Sequence, residues 1–393
     1  MAETPPPQRQ SPGFLLLYAL AAAGGAIAYV PFLTLLLPAR MAELAGANDV
    51  QWLGYMTFFG ALAASIAGIF FGWLSDRTGG RRLWVAAGLV LTVALLIAMP
   101  LADSMPALLG LIIAWQLSLN MILGPLSAWA GDVVPDEQKG LLGGLLALSP
   151  ALGAWSGAIV TLPGITGFEE RLGVVAAMIA AAIVPALLFG RPRAFPELMR
   201  PDPSGERRIT MPAARMWLAR LLVQIAEAAL FAYLYFWFRS IDPAMGDNEK
   251  AGIFSVALTV AVPVALLAGR WADRNDRPFA PLVVTAIISA IGLIGMAFAA
   301  GPTSAKLAYL VFGITTTAFL SLHAGQTLRI LPRAEHRGRD LGIFNLANTM
   351  PSLIMPWLTL SLVPGFGFSA LFLLLAALTT AAVLLLATMP RRV

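Results

Sequence analysis

Twelve long apolar runs follow one another along the chain, and short polar segments separate them. A helix that rises about 1.5 Å per residue needs about 20 apolar residues to cross a bilayer core. The runs that meet this length predict helices over residues 13–38, 50–74, 83–102, 105–131, 140–163, 172–190, 216–238, 251–269, 279–301, 306–330, 341–362 and 367–389. The pattern therefore indicates an all-α integral membrane protein with twelve transmembrane helices.

The composition excludes several classes of protein. Of the 393 residues, 59% are hydrophobic and 12% are charged, whereas soluble domains carry about 25% charged residues. The chain contains no cysteine, which excludes disulfides, thiolate metal sites and cysteine nucleophiles, and its two histidines are too few for a histidine-rich metal centre. Neither a nucleophile–base set nor a phosphate-binding loop is evident, so we expect no enzyme activity, no cofactor and no metal site.

Basic residues are distributed unevenly between the two sets of segments that connect the runs. Twenty of the 26 Lys and Arg residues lie in one set together with the termini, five lie in the other, and Arg220 lies within the seventh run. Segments rich in Lys and Arg remain in the cytoplasm, which predicts that both termini are cytoplasmic. The net charge of +5 is thus explained by orientation in the cell membrane, the inner membrane of a bacterium. We expect the lipid bilayer as a partner and no nucleic acid.

A polar, proline-rich stretch at residues 191–215 divides the chain near its middle. The loops after the second and eighth runs share a glycine and an Asp-Arg pair, at Gly72, Asp76 and Arg77 and again at Gly269, Asp273 and Arg274. Pro135 and Pro332 recur at the same offset of 197 residues. This internal repeat predicts two pseudo-symmetric six-helix bundles, residues 13–190 and 216–389, joined by a linker at 191–215. Short cytoplasmic tails are predicted at 1–12 and 390–393.

The segment from Gly72 through Ser75, Asp76 and Arg77 to Gly79 resembles the signature of the major facilitator superfamily, and the similarity extends over essentially the whole chain. This resemblance implies a secondary transporter without enzyme activity. It implies that two related halves provide alternating access to a central cavity lined mainly by helices 1, 4, 7 and 10.

The signature loop suggests a cytoplasmic gate. Asp76 can accept hydrogen bonds from an arginine or from a facing helix N-terminus, and the glycines permit a tight turn. A salt bridge within one half is the alternative for Asp76, and headgroup contact is the alternative for Arg81 and Arg82. The predicted gate consists of Gly72, Asp76, Arg77, Asp132, Asp273, Arg274 and Arg329.

Glu227 is the one acidic residue that lies in the middle of an apolar run. A charge at that depth is costly unless it is paired or hydrated, so it is a candidate functional group. A proton carrier must change its ionisation as its surroundings change, and we predict this role for Glu227 with His323. A purely structural helix contact is the alternative. The residues expected to line the cavity are Tyr29, Trp115, Gln116, Asn120, Gln224, Phe231, Thr316, Phe319 and Gln326.

Two short segments indicate different transport modes. The fourth run, with Asn120, Gly124, Pro125 and Asp132, is similar to glycoside and sucrose proton-coupled symporters. The fifth run, around Ser149 to Gly153, is similar to the antiporter motif of drug effluxers. We predict proton-coupled symport of a small organic solute by a monomer. Proton-coupled efflux by antiport is the first alternative, and a transporter-like sensor or scaffold is an alternative of another class.

Overall fold

The structure is a computed structural model of the chain. It describes residues 9–78, 80–135, 138, 142, 145, 146, 148–165, 167–195, 211–275, 277, 279–330 and 337–389. The side chains of residues 47, 211–213, 273, 324, 325, 327–330 and 337–346 are not part of that description.

The described chain is built from α-helices, which we number α1 to α11 in chain order. α1 (Pro12–Leu44) contains a π-helical segment, Phe32–Leu36, directly after Pro31. The remaining helices are α2 (Asp49–Thr78), α3 (Arg81–Ala98), α4 (Met105–Val133), α5 (Ser149–Val160), α6 (Phe168–Phe189), α7 (Met211–Ile241), α8 (Asp247–Arg274), α9 (Ala280–Ala297), α10 (Pro302–Ile330) and α11 (Arg337–Ala387).

Ten helices within the described ranges are long and apolar enough to cross a membrane. Two features separate this number from the predicted twelve. The described part of the fifth run forms a helix of 12 residues, which is shorter than a span. The eleventh and twelfth runs are merged into α11, which is interrupted at Gly367, where φ is 73° and ψ is 178°. This backbone conformation favours glycine because it has no Cβ, so Gly367 divides α11 into two helical segments.

The first compact unit comprises Met1–Pro31, Ala63–Ser156 and Ile165–Pro201. In it α1 packs on α4 and α6, and α3 packs on the same two helices. Glycines permit close helix crossings in this unit, since a Cβ at Gly124 of α4 would lie 3.1 Å from the Gly68 carbonyl oxygen of α2. The Tyr18 hydroxyl donates to the Leu126 carbonyl at 2.9 Å and thereby joins α1 to α4.

The second compact unit comprises Phe32–Leu62, Gly157–Gly164 and Asp202–Val393. In it α7 packs on α10 and α11, and α9 packs on the same two helices. The core of this packing contains Met216, Ala219 and Val223 of α7, Leu282 and Ala286 of α9, Phe319 of α10, and Ala382 and Leu386 of α11. The division places parts of α1, α2 and α5 in each unit, whereas the predicted bundles keep these helices whole. The predicted domain boundaries stay a prediction.

The helix packing repeats between the two units in the order that the loop repeat predicts. The pairs α1–α6, α3–α4 and α3–α6 correspond to α7–α11, α9–α10 and α9–α11 when the end of α11 counts as the twelfth helix. A buried hydroxyl pair repeats as well, with Thr92 bonded to Ser118 at 3.1 Å and Ser289 bonded to Thr316. Ser289 follows Thr92 by 197 residues, the offset found between the loops.

Candidate solute and proton site

One face of α7 is polar and partly accessible, although most of this helix is buried. Arg220, Gln224, Glu227 and Phe231 are each half-buried, whereas the positions between them pack mainly into the core. They follow one another at intervals of three or four residues, which places them on one side of a helix. Within the span Ala214–Ile241, Glu227 lies at the middle and Arg220 lies nearer to the N-terminal end.

Glu227 is bound by a neutral neighbour on its own helix. Gln224 Nε2 donates to Glu227 Oε2 at 2.7 Å. The amide oxygen of Gln224, Oε1, is buried and accepts no hydrogen bond within the described part of the chain. The carboxyl group is thus oriented by an amide donor, and an amide acceptor lies beside it.

Arg220 joins α7 to α10 and α11 through neutral acceptors. Its Nε donates to Asn348 Oδ1 at 3.0 Å, and its Nη1 contacts the Leu320 carbonyl and His323 Nδ1, each at 3.4 Å. His323 Nε2 lies 2.8 Å from the Met216 carbonyl. A carbonyl cannot donate, so we assign the proton of neutral His323 to Nε2, which leaves Nδ1 to accept from Arg220. Neutral histidine satisfies both bonds, and a second ring proton would oppose the guanidinium.

The other residues predicted to line the cavity differ in exposure. Tyr29 and Asn120 are half-buried. The buried residues of this set are Trp115, Gln116, Thr316, Phe319 and Gln326. Thr316 bonds to Ser289 of α9, and the Phe319 ring packs against His323 with centroids 5.7 Å apart. Thr316 and Phe319 thus lie in helix–helix contacts, and the role of the whole set in a cavity stays a prediction.

Arg81 connects the predicted gate residues of the first unit. Its Nε donates to Asp132 Oδ2 at 2.9 Å, its Nη1 donates to Ser75 Oγ at 2.5 Å, and its Nη2 forms an ion pair with Asp76. The Arg81 side chain is 14% exposed and that of Asp76 is 63% exposed. Asp76 therefore forms a salt bridge within one unit, the alternative considered for it above.

The remaining gate residues give a less complete picture. Gly72 lies opposite Gly124 where α2 crosses α4, and the guanidinium of Arg77 lies over the Trp73 ring at 5.6 Å. Arg274 is exposed in the last turn of α8. The side chains of Asp273 and Arg329 lie outside the description. The role of these residues in a cytoplasmic gate therefore stays a prediction.

A second ion-pair site, which the sequence did not indicate, lies at the other end of α2. Asp49 is buried and pairs with Arg239 near the end of α7. The Arg239 guanidinium lies 4.7 Å from the centre of the Phe236 ring, which favours a cation. Nearby, Asn248 of α8 donates to the Ala158 carbonyl of α5 at 3.0 Å. Polar contacts thus join the start of α2 and the end of α5 to the other helices of the second unit.

The sequence profile of the Major Facilitator Superfamily matches residues 14–325 and, in a second alignment, residues 216–393. The chain belongs to the Major Facilitator Superfamily. Members of this superfamily are membrane transporters of small molecules and not enzymes, as the resemblance of the loop signature implied. The chain is accordingly a multi-pass membrane transporter.

Among its superfamily relatives are proteins named multidrug resistance protein MdtG. The MdtG of Dickeya zeae (strain Ech586) is 25% identical over 349 residues, which covers 83% of this chain and 81% of the relative. The MdtG of Serratia proteamaculans (strain 568) is 23% identical over 343 residues, covering 82% and 80%. The human organic anion transporter MFSD10 (TETRAN) has the same fold, with a TM-score of 0.68 and 14% identity over 95% of this chain and 98% of its own.

Proposed function

We propose that this transporter exports small organic solutes in exchange for protons, and that Glu227 is the group that binds the proton. The position of Glu227 supports the proposal, because it is a half-buried carboxyl group at the middle of a span and its hydrogen-bond donor is the neutral Gln224. A carboxyl group so placed can release its proton when water reaches it and regain it when water is excluded.

Exchange requires the proton and the solute to compete for the carrier. The Glu227 carboxylate can accept one proton or receive a donor or cationic group of a solute, and each excludes the other. The names of the MdtG relatives support export as the direction of solute movement. The arginines and lysines on the side of the termini support a cytoplasmic location for both termini, in the bacterial inner membrane.

Within the described structure, the charged or titratable groups around Glu227 are Arg220, His323 and Tyr309. We assign the proton to Glu227 and not to His323. Neutral His323 already satisfies the contacts to Arg220 and Met216, and a protonated ring would lose the first of them.

Proton-coupled symport is the second candidate. The similarity of the helix 4 segment around Asn120 and Gly124 to proton-coupled symporters favours it. Proteoliposomes with a pH-sensitive dye distinguish the modes. Solute that enters the vesicles releases protons from the lumen in antiport and carries protons inward in symport.

The role of Glu227 is tested in the same vesicles with an imposed pH gradient. Glu227→Gln should abolish solute accumulation driven by the gradient but retain solute exchange, because an amide cannot release a proton. Glu227→Asp should retain coupling. Glu249→Gln is the matched control, since Glu249 forms an exposed ion pair with Lys306. Uphill transport by Glu227→Gln with unchanged pH dependence would show that the proposal is wrong.

A further inference from the structure

Two opposite charges lie on the half-buried face of α7. Arg220 and Glu227 are seven residues apart, which is almost two helical turns and about 10 Å of rise. The hydrogen bonds of Arg220 go to Asn348, Leu320 and His323, and Glu227 accepts from Gln224. The ion pairs formed by the described side chains do not include one between Arg220 and Glu227. Each charge within the membrane is therefore held by neutral groups.

Arg220 has N–H donors that are available to an anionic group. Its described bonds use Nε and Nη1, so that the two N–H groups of Nη2 donate to no group in the described structure. The planar guanidinium matches a carboxylate or a phosphate in geometry as well as in charge. Asn348 and the Leu320 carbonyl orient it from the neighbouring helices, as a binding group requires.

The other end of the same face suits a donor or cationic group. Glu227 and the unpartnered Oε1 of Gln224 supply acceptors next to each other. Beyond them along α7, the Phe231 ring forms an edge contact with Phe254 of α8, with centroids 6.3 Å apart. A solute with an apolar or aromatic body can pack against these rings while its polar groups reach the charges.

We propose that the α7 face binds amphoteric organic solutes, with the anionic group at Arg220 and the cationic or donor group at Glu227. This inference rests on the proposed function, since the proton that Glu227 exchanges displaces the cationic end of the solute. An exclusively anionic solute would leave Glu227 uncompensated, and an exclusively cationic solute would leave Arg220 uncompensated. Charge compensation at both ends of the face favours solutes that carry both signs.

Three matched probes test this inference by their affinity for the purified protein in nanodiscs. 4-(Aminomethyl)phenylacetate carries an ammonium and a carboxylate at opposite ends of one ring, whereas 4-methylbenzylamine and 4-methylphenylacetate each carry one of these groups. The amphoteric probe should bind at least about tenfold more tightly than either of the others, the effect of one additional charge-assisted contact.

Two variants should remove this preference selectively. Arg220→Gln should weaken the amphoteric probe and leave 4-methylbenzylamine unchanged, while Glu227→Gln should weaken it and leave 4-methylphenylacetate unchanged. Arg220→Lys should restore part of the affinity, which separates loss of charge from loss of folding. Arg215→Gln is the control, because Arg215 bonds to the Thr388 carbonyl away from this face and its loss should not change the preference.

The inference is wrong if the singly charged probes bind as tightly as the amphoteric one, if none of the three binds, or if Arg220→Gln weakens all probes equally. The proposed function is judged separately by proton-driven transport. Coupling that depends on Glu227 without an amphoteric preference would leave the proposed function intact and refute only this inference.

Discussion

The ion pair between Asp49 and Arg239 should stabilise the structure described here. It joins the start of α2 to the end of α7, and 190 residues separate its members in the sequence. The side chain of Asp49 is 9% exposed and that of Arg239 is 34% exposed, so the pair lies between the buried and the surface type. Loss of Arg239 alone would leave the carboxylate of Asp49 desolvated without its cation.

The expected energy follows from this intermediate burial. Exposed pairs contribute about 0.2–1 kcal/mol, and removal of one partner from a buried pair costs about 3–5 kcal/mol. Solvent reaches a third of the Arg239 side chain and screens the pair, so we expect a coupling energy of about 1–2 kcal/mol. About 1.4 kcal/mol is a factor of ten in an equilibrium constant. Loss of the pair should therefore shift the equilibrium about tenfold from the structure described here toward forms in which Asp49 and Arg239 are apart.

A double-mutant cycle measures the coupling. Asp49→Asn, Arg239→Gln and the double variant are compared by SDS titration in mixed micelles, with the pair Glu249 and Lys306 as an exposed control that should couple by less. The chain contains no cysteine, so Thr57→Cys near the start of α2 also serves as a unique labelling site. Maleimide should label the cysteine at position 57 about tenfold faster when Arg239→Gln is added than when Arg239 is present. Additive effects of the two substitutions, with an unchanged labelling rate, would refute the reasoning.

Other consequences of the packing are open to simple stability and transport measurements. Gly124→Ala should lower the Tm, because its Cβ would lie 3.1 Å from a carbonyl oxygen of α2, whereas Gly110→Ala on the same helix has open space and should keep or raise it. Gln10→Ala should destabilise the protein by about 1–3 kcal/mol in denaturant titration, because a buried side chain loses its bonds to Val133 at the end of α4 and to Arg193 after α6. Arg81→Gln should reduce solute flux in vesicles more than Arg77→Gln, because Arg81 holds two carboxylates.

The helices could be predicted because each depends on a local apolar run. The fourth run predicts a helix over 105–131 and the helix extends over Met105–Val133, while the sixth predicts one over 172–190 and the helix extends over Phe168–Phe189. The break between the last two runs is fixed by Gly367, whose positive φ favours a residue without a Cβ. Their exact ends were less predictable, since polar residues continue a helix beyond the bilayer core.

The partners in the site could not be predicted, because they come from distant parts of the chain. The spacing of seven residues places Arg220 on the same side of α7 as Glu227, but Asn348, its hydrogen-bond partner, is 128 residues away. Arg81 looked like one of many orientation charges, and its contact with Asp132 depends on where α4 ends beside α3. Tertiary packing and not periodicity determines such contacts.

The second half departs from the repeat at the residues that we propose bind solute and proton. At the offset of 197 residues, Arg220, Gln224 and Glu227 of α7 correspond to Ala23, Ile27 and Val30 of α1. The first-half residues are apolar and buried, whereas their counterparts are polar and half-buried. Duplicated packing such as the Thr92–Ser118 and Ser289–Thr316 contacts requires only that both halves keep the same scaffold. A polar face in one half alone is costly within the membrane, and the proposed binding of solute and proton would offset that cost in addition to the contacts that Arg220 makes with α10 and α11. This asymmetry supports the proposal that solute and proton bind at α7.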